Sequence, residues 1–151
     1  MILIRKALPE DYIFISNFQK KMASETENIR LDNETVRDGV RAVFADSAKG
    51  CYYIAEIDGE VIGSLLTTYE WSDWRNGYLL WLQSVYVVSN YRKRGIFRNL
   101  YLHIKQVVEN NPDYKGIRLY VDKTNESAME VYRRIGMNDE HYQMFEWISS
   151  S

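Results

Sequence analysis

Cysteine, histidine and long apolar runs are scarce in this chain of 151 residues. The single cysteine, Cys51, excludes an internal disulfide, and the two histidines, His103 and His141, are not clustered as metal ligands usually are. No apolar stretch is long enough to span a bilayer, and the apolar run at the start is too short for a signal peptide. We therefore expect a cytoplasmic protein without a metal site.

Several functional motifs are also missing. The chain lacks the G-x-x-x-x-G-K-[ST] and G-x-G-x-x-G loops, which disfavours ATP, GTP and NAD bound in the usual ways. It lacks a G-x-S-x-G nucleophile elbow, and Cys51 has no evident catalytic partner. A formal net charge of -2 gives no general attraction to nucleic acid or to a membrane surface, so neither is an expected partner.

The apolar pattern that is present predicts the element order β-α-α-β-β-β-α-β-α-β. This order is typical of a mixed sheet in the α/β or α+β class and not of an alternating Rossmann chain. We expect one domain over residues 1–148 and a disordered tail at 149–151. The predicted strands are Met1–Lys6, Tyr52–Ile57, Glu60–Thr68, Tyr78–Val88, Ile117–Val121 and His141–Ile148, and the predicted helices are Pro9–Met22, Glu34–Asp46, Phe97–Val108 and Glu126–Ile135.

A basic turn with one glycine links the buried strand Tyr78–Val88 to the next helix. The first amides of a helix lack backbone partners, and together with the helix dipole they favour an anion. Gly95 lets the backbone approach that anion, and the neighbouring cations add positive charge. From the residues alone, a solvated basic turn that caps the helix is an equally good interpretation. The cations concerned are Arg92, Lys93, Arg94 and Arg98.

Two motifs resemble those of the GCN5-related N-acetyltransferase (GNAT) family. The turn Arg92–Phe97 resembles the family's R/Q-x-x-G-x-G/A loop, although Phe97 stands where a small residue is usual. The segment Val121–Met137 resembles the pattern V-x-x-x-N-x-x-A-x-x-x-Y-x-x-x-G-F/M. Including the strand before the loop, the resemblance covers about Gly50 to Met137. It implies a GNAT-like acyl-CoA N-acyltransferase fold whose central strands are splayed for the cofactor.

The resemblance also implies acetyl-CoA or coenzyme A as cofactor. Its pyrophosphate is expected at the basic turn, and its pantetheine amides are expected along the backbone of Val85 and Val87. Asn125 can both cap its helix and contact the cofactor. Tyr132 matches the family's general acid for the CoA thiolate, although by itself it also reads as a core tyrosine. The expected cofactor-binding residues are Val85, Tyr86, Val87, Arg92, Lys93, Arg94, Gly95, Ile96, Phe97, Arg98, Asn125, Ala128 and Tyr132.

The expected reaction is direct attack of an amine on the thioester, and its general base is not evident. Several family members carry a glutamate where this chain has Gln83, and a neutral amide cannot take a proton. Glu70 is a candidate base, and Asp73 is another. Each of these acids is also a common kind of solvated surface charge.

The acceptor is expected to be a small-molecule or peptide amine. The segment Tyr69–Gly77 mixes aromatic and acidic side chains, which can enclose an ammonium group. The alternative is a wide hairpin whose tryptophans pack on the sheet or at a dimer contact, and a homodimer is expected by analogy with the family. The candidate acceptor-binding residues are Trp71, Asp73, Trp74 and Gln83, with Glu25 and Glu27 in the predicted loop between the first two helices.

Two other functions stay open at this point. A non-catalytic acyl-CoA-binding or regulatory module on the same fold would keep the loop and tolerate Gln83. Another acyl donor, such as succinyl-CoA, would use the same motifs.

Overall fold

A five-stranded mixed sheet organises most of the computed structural model, which describes residues 1–150. The strands lie side by side in chain order; β1 to β4 are antiparallel and β5 runs parallel to β4. The strands are β1 (Ile2–Lys6), β2 (Cys51–Ile57), β3 (Glu60–Ser72), β4 (Gly77–Val87) and β5 (Tyr114–Arg118). The helices are α1 (Tyr12–Glu27), α2 (Asn33–Ala45), α3 (Ile96–Glu109) and α4 (Glu126–Arg134), with short 3-10 turns at Pro9–Asp11 and Ser89–Tyr91. The predicted mixed α/β class is confirmed.

The chain divides into two compact units, Met1–Arg118 and Leu119–Ser151. The first contains the sheet with α1, α2 and α3, and the second contains α4. The prediction of one domain over 1–148 stays a prediction, and the predicted tail at 149–151 reaches Ser151, which lies outside the described residues.

Two predicted strands differ from the structure. The strand expected at Ile117–Val121 is β5, which covers Tyr114–Arg118, because its parallel pairing starts with Tyr114 opposite Tyr78 and alternation alone does not define that register. The strand expected at His141–Ile148 is not assigned. A strand is defined by backbone bonds to a neighbour, and the unit after Arg118, taken by itself, has no strand assigned among the residues described.

The first helix is longer than its apolar pattern predicted. No glycine or proline interrupts Ala23–Glu27, so α1 continues to Glu27 and ends at Asn28, whose backbone is left-handed at φ 53°. Glu25 and Glu27 therefore lie on the last turns of α1 and not in a loop.

Both hairpin turns contain residues with a left-handed backbone. Asp58 and Gly59 have φ angles of 51° and 80°, as the two-residue turn between β2 and β3 requires. Asn76, at φ 49°, ends the turn before β4.

Both faces of the sheet are covered by helices. Tyr52 and Ile54 of β2 pack with Ile15 of α1 and Val40 of α2 in one buried cluster. Alternate residues of the same strand point the other way, and the ring of Tyr53 lies 5.5 Å from that of His103 on α3. No helix within residues 1–150 combines the length and apolarity needed to cross a membrane.

Truncation of a fully buried side chain tests this core. Ile54 is 0% exposed, so Ile54→Ala should lower the free energy of unfolding by about 2–5 kcal/mol through lost burial and the cavity left behind. Ile13→Ala is the matched control, because Ile13 is 54% exposed on α1, and it should change stability by less than about 0.5 kcal/mol. Urea unfolding followed by circular dichroism measures both. Equal losses in the two variants would contradict the assignment of the core.

Candidate active site

Strand β4 carries a bulge close to the centre of the sheet. On β3, Leu66 pairs with Gln83 and Ser64 pairs with Tyr86, so β4 contains one residue more than β3 over this interval. Ser84 takes up the irregularity with a left-handed φ of 53°. The bulge places the side chains of Gln83 and Tyr86, three positions apart, on the same face of the sheet.

Strand β4 also outlasts its parallel neighbour. The last pair between β4 and β5 is Trp81 with Arg118, whereas β4 continues to Val87. Within the unit Met1–Arg118, the β5 side of this last part of β4 therefore has no strand partner. This is the arrangement expected of splayed central strands, with Val85 and Val87 in the part of β4 that pairs with β3 but not with β5.

The turn after β4 leads into α3, and a glycine is the N-cap of that helix. Lys93 and Gly95 are left-handed, with φ angles of 63° and 77°, and Gly95 is the N-cap of α3. A glycine offers no side-chain cap, while its carbonyl accepts bonds from the backbone and side-chain nitrogens of Asn99 at 3.0 and 2.7 Å. A Cβ on Gly95 would approach nothing closer than 3.8 Å, so glycine is required here by conformation and not by lack of space.

The cations of this turn are engaged in different ways. Arg92 donates through Nε to the carbonyl of Val87 at 2.8 Å and through Nη2 to Glu25 at 2.7 Å. The guanidinium of Arg94 lies 5.3 Å from the ring centroid of Tyr91. Arg92 is thus bound to a carboxylate of α1 and to the carbonyl at the end of β4. Lys93 and Arg98 are exposed.

Glu25 binds two of the predicted cofactor-site residues. Its second oxygen accepts a 2.7 Å bond from the hydroxyl of Tyr86, whose ring stacks on Phe18 of α1 at 5.2 Å. The bond from Tyr86, and after it the bond from Arg92, lower the pKa of Glu25, so the carboxylate stays charged. Sequence reasoning missed this link because the partners lie far from Glu25 in the chain.

A row of polar side chains crosses β3, β4 and β5 on the face that carries Gln83. Glu70 accepts a 2.8 Å bond from the indole nitrogen of Trp81 and forms an ion pair at 2.9 Å with Arg118. Gln83 donates to the hydroxyl of Thr68 at 2.6 Å. The bond from Trp81, followed by that from Arg118, lowers the pKa of Glu70, and a carboxylate stabilised in this way is a weak general base.

The hairpin tip between β3 and β4 presents two tryptophans. The ring of Trp71 lies 5.0 Å from that of Tyr78 in an edge-to-face contact, and Trp74 is 89% exposed. Asp73 lies in the turn itself. Trp71 is 54% exposed despite this contact, and Trp74 projects into solvent.

The second unit contains the remaining candidates on or beside α4. The side chain of Asn125 accepts a 3.1 Å bond from the amide of Ala128, which confirms Asn125 as the helix cap. Tyr132 lies one turn further along and is partly buried, and burial raises the pKa of its phenol. Gly136, at φ 97°, ends the helix with a bond from the amide of Met137 to the carbonyl of Tyr132 at 3.0 Å. Within residues 1–150 no group of three or more potential ligands is arranged to hold a metal ion.

Comparison with known proteins assigns the family. The model of the Acetyltransferase (GNAT) family matches residues 13–137, which include the strand β4, the glycine turn and α4. The chain belongs to the GNAT acetyltransferase family. Acetyl transfer is therefore the general chemistry supported for this GNAT protein.

Relatives of the GNAT protein agree with this assignment. A possible acetyltransferase from Clostridium difficile 630, known as a crystal structure, is 39% identical with a TM-score of 0.92, and the match covers 100% of this chain and 99% of that one. An uncharacterized N-acetyltransferase of Methanocaldococcus jannaschii is 34% identical over 59% of this chain and 53% of its own, so the GNAT protein spans about half the length of this curated relative. An aminoglycoside acetyltransferase from an uncultured soil sample, solved with sisomicin, shares the fold at 16% identity and a TM-score of 0.77, covering 99% of this chain and 97% of that one.

The Glu70 ion pair predicts a pH-dependent contribution to stability. Because the folded-state pKa of Glu70 is lowered from its ordinary 4.5, its contribution is present above that value and is lost as pH falls through the lowered pKa. Glu70→Gln should therefore lower the melting temperature by a few degrees at pH 7, and by less at each step toward pH 3. Thermal melts between pH 3 and pH 7 measure this difference. Glu109→Gln, at an exposed position on the last turn of α3, is the control, and a Glu70→Gln effect no larger than the control at pH 7 would contradict the assignment.

Proposed function

We propose that the protein transfers an acetyl group from acetyl-CoA to an amine. The observation that carries the proposal is the junction of β4 and α3, where a strand that outlasts its neighbour leads into a helix begun by left-handed Gly95. Family membership supports acetyl transfer in general. The coenzyme, the acceptor and the roles of individual residues are our inference.

The chemistry of the junction fits coenzyme A. A diphosphate requires several hydrogen-bond donors and positive charge, and the first turn of α3 offers backbone amides from Ile96 onward together with Lys93 and Arg98. The pantetheine arm contains amides that can pair with a strand edge, which the backbone of Val85 and Val87 can provide. When bound, acetyl-CoA supplies an activated thioester.

The residues of the chain would then divide the chemistry among them. A backbone N–H near Val85, beside the bulge, would stabilise the oxyanion that develops on the acetyl carbonyl. Tyr132 would give its proton to the departing sulfur, and the raised pKa of its phenol keeps that proton in place at neutral pH. This role of Tyr132 depends on its motif and on its own environment. In the family motif Asn125 and Ala128 contact the cofactor, and we propose the same for them.

The acceptor amine would lose its proton to solvent. Gln83 cannot accept a proton, and Glu70 is held by Trp81 and Arg118 as a stable carboxylate. We therefore give Glu70 and Gln83 a positioning role, as parts of a polar surface that orients the acceptor. A small-molecule or peptide amine suits this surface, and the aminoglycoside acetyltransferase among the structural relatives adds aminoglycosides to the compounds worth testing. Asp73 and Trp74 at the hairpin tip stay acceptor-side candidates, and the homodimer stays a prediction.

A thiol-release assay over a panel of amines tests the activity directly. With acetyl-CoA and a suitable amine, the wild-type protein should release free CoA, and Tyr132→Phe should lower kcat by about 10²-fold or more with little change in CoA affinity. Calorimetric binding of CoA without release for any amine would favour the non-catalytic alternative. Release of CoA from succinyl-CoA and not from acetyl-CoA would show that succinyl-CoA is the acyl donor.

Substitution of Gly95 tests where the diphosphate binds. Gly95→Asp places a negative charge and a strained residue at the N-cap and should weaken CoA binding by about tenfold or more. Gly59→Asp is the matched control, because Gly59 is also left-handed, at φ 80°, and lies in the exposed turn between β2 and β3. The two variants should lose similar stability, and only Gly95→Asp should lose CoA affinity. Unchanged CoA affinity in Gly95→Asp would remove the proposed site.

A further inference from the structure

Three side chains from different elements form a closed cluster beside the turn that follows β4. Glu25 comes from α1, Tyr86 from β4 and Arg92 from the turn itself; we call them the Glu25 cluster. One oxygen of Glu25 accepts from Arg92 and the other from Tyr86, both at 2.7 Å. The guanidinium carbon of Arg92 lies 5.2 Å from the ring centroid of Tyr86, so each member contacts the other two.

The cluster also fixes the path of the main chain. The Nε of Arg92 donates to the carbonyl of Val87 at the end of β4, and the backbone nitrogen of Arg92 donates to the carbonyl of Ser89 at 3.3 Å. These two bonds close the 3-10 turn Ser89–Tyr91 on itself. Because Glu25 holds the far end of the same guanidinium, the turn is tied to α1 just before the chain reaches Lys93 and Gly95.

The charges of the cluster largely cancel. The side chains of Arg92 and Glu25 are 43% and 41% exposed, so their ion pair alone adds little stability. Its effect is on geometry, since the guanidinium is held by a carboxylate, a carbonyl and an aromatic face together. The guanidinium of Arg92 therefore already has partners within the protein, whereas Lys93 and Arg98 are exposed.

We propose that Glu25 is a positioning residue that holds Arg92 as the anchor of the turn, and that Arg92 in this cluster aligns the amides at Gly95 for the diphosphate without being a phosphate ligand itself. This inference rests on the proposed coenzyme site. It changes the expectation from the sequence, in which Arg92 faces the phosphates and Glu25 receives a cationic acceptor.

The direction in which Glu25→Ala changes the affinity for CoA distinguishes the two possible roles of Arg92. If Glu25 anchors Arg92, Glu25→Ala loosens the turn, and CoA measured by calorimetry should bind about tenfold more weakly. If Arg92 were a phosphate ligand for which Glu25 competes, removal of Glu25 would strengthen CoA binding. Glu109→Ala, at an exposed glutamate that is likewise on the last turn of a helix, should leave CoA affinity unchanged. Unchanged or tighter binding in Glu25→Ala overturns the proposal.

A double-mutant cycle adds a second criterion. Because Glu25 acts through Arg92, the variant Glu25→Ala/Arg92→Gln should bind CoA no more weakly than Arg92→Gln alone. The KM for acetyl-CoA should rise in each single variant while kcat with a saturating donor stays within about twofold, which a general loss of folding would not produce. Additive losses of affinity, or a fall in kcat alone, contradict the positioning role.

Amide hydrogen exchange tests the anchor without any ligand. In Glu25→Ala, the amides of residues 88–95 should exchange faster than in the wild type, and in Glu109→Ala they should not. Unchanged exchange there would overturn the anchor. If the wild-type protein bound no CoA while exchange responded as expected, the proposed function would fail and the anchor would stand.

Discussion

The junction at which β4 leaves the sheet and α3 begins is the constraint on which the rest of the site depends. A strand normally ends with its neighbours, but β4 continues past the last pair with β5 and carries a bulge at Ser84. Both features cost backbone pairing, and the bulge places a non-glycine residue in a left-handed conformation. The buried packing of Tyr86 on Phe18 and the long β3–β4 pairing hold that geometry in place.

Positive charge at the junction is less informative than its arrangement. The turn and the first helical turn contain four cations, Arg92, Lys93, Arg94 and Arg98, which from composition alone look equivalent. In the structure, Arg92 is held by Glu25 and Val87, and Arg94 lies over the ring of Tyr91. A basic run can therefore serve partly to shape its own loop.

Local patterns allowed much of this arrangement to be predicted. The long apolar run predicted β4, and Asn125 marked the start of α4, because strand burial and helix caps depend on a few neighbouring residues. Local physics alone left open the roles of the residues at the junction and on α4. Those roles were predicted from the motif resemblance.

Long-range contacts and register could not be predicted in the same way. Nothing in the residues around Ser84 indicates a bulge, since it arises from the register between β3 and β4. Glu25 meets partners that are remote in sequence, and it was expected in a loop because the apolar pattern of α1 weakens before the helix ends at Glu27. The ion pair of Glu70 with Arg118 could not be predicted for a similar reason, because it exists only once β5 lies beside β4.

Titration of the ¹⁵N-labelled protein with coenzyme A, followed by NMR, tests the central claim most directly. The account predicts that the backbone amide resonances of Gly95, Ile96 and Arg98 shift with saturable dependence on coenzyme A, and that inorganic pyrophosphate alone shifts the same set more weakly. Saturable shifts confined to other parts of the chain, with the amides at the start of α3 unmoved, would contradict it.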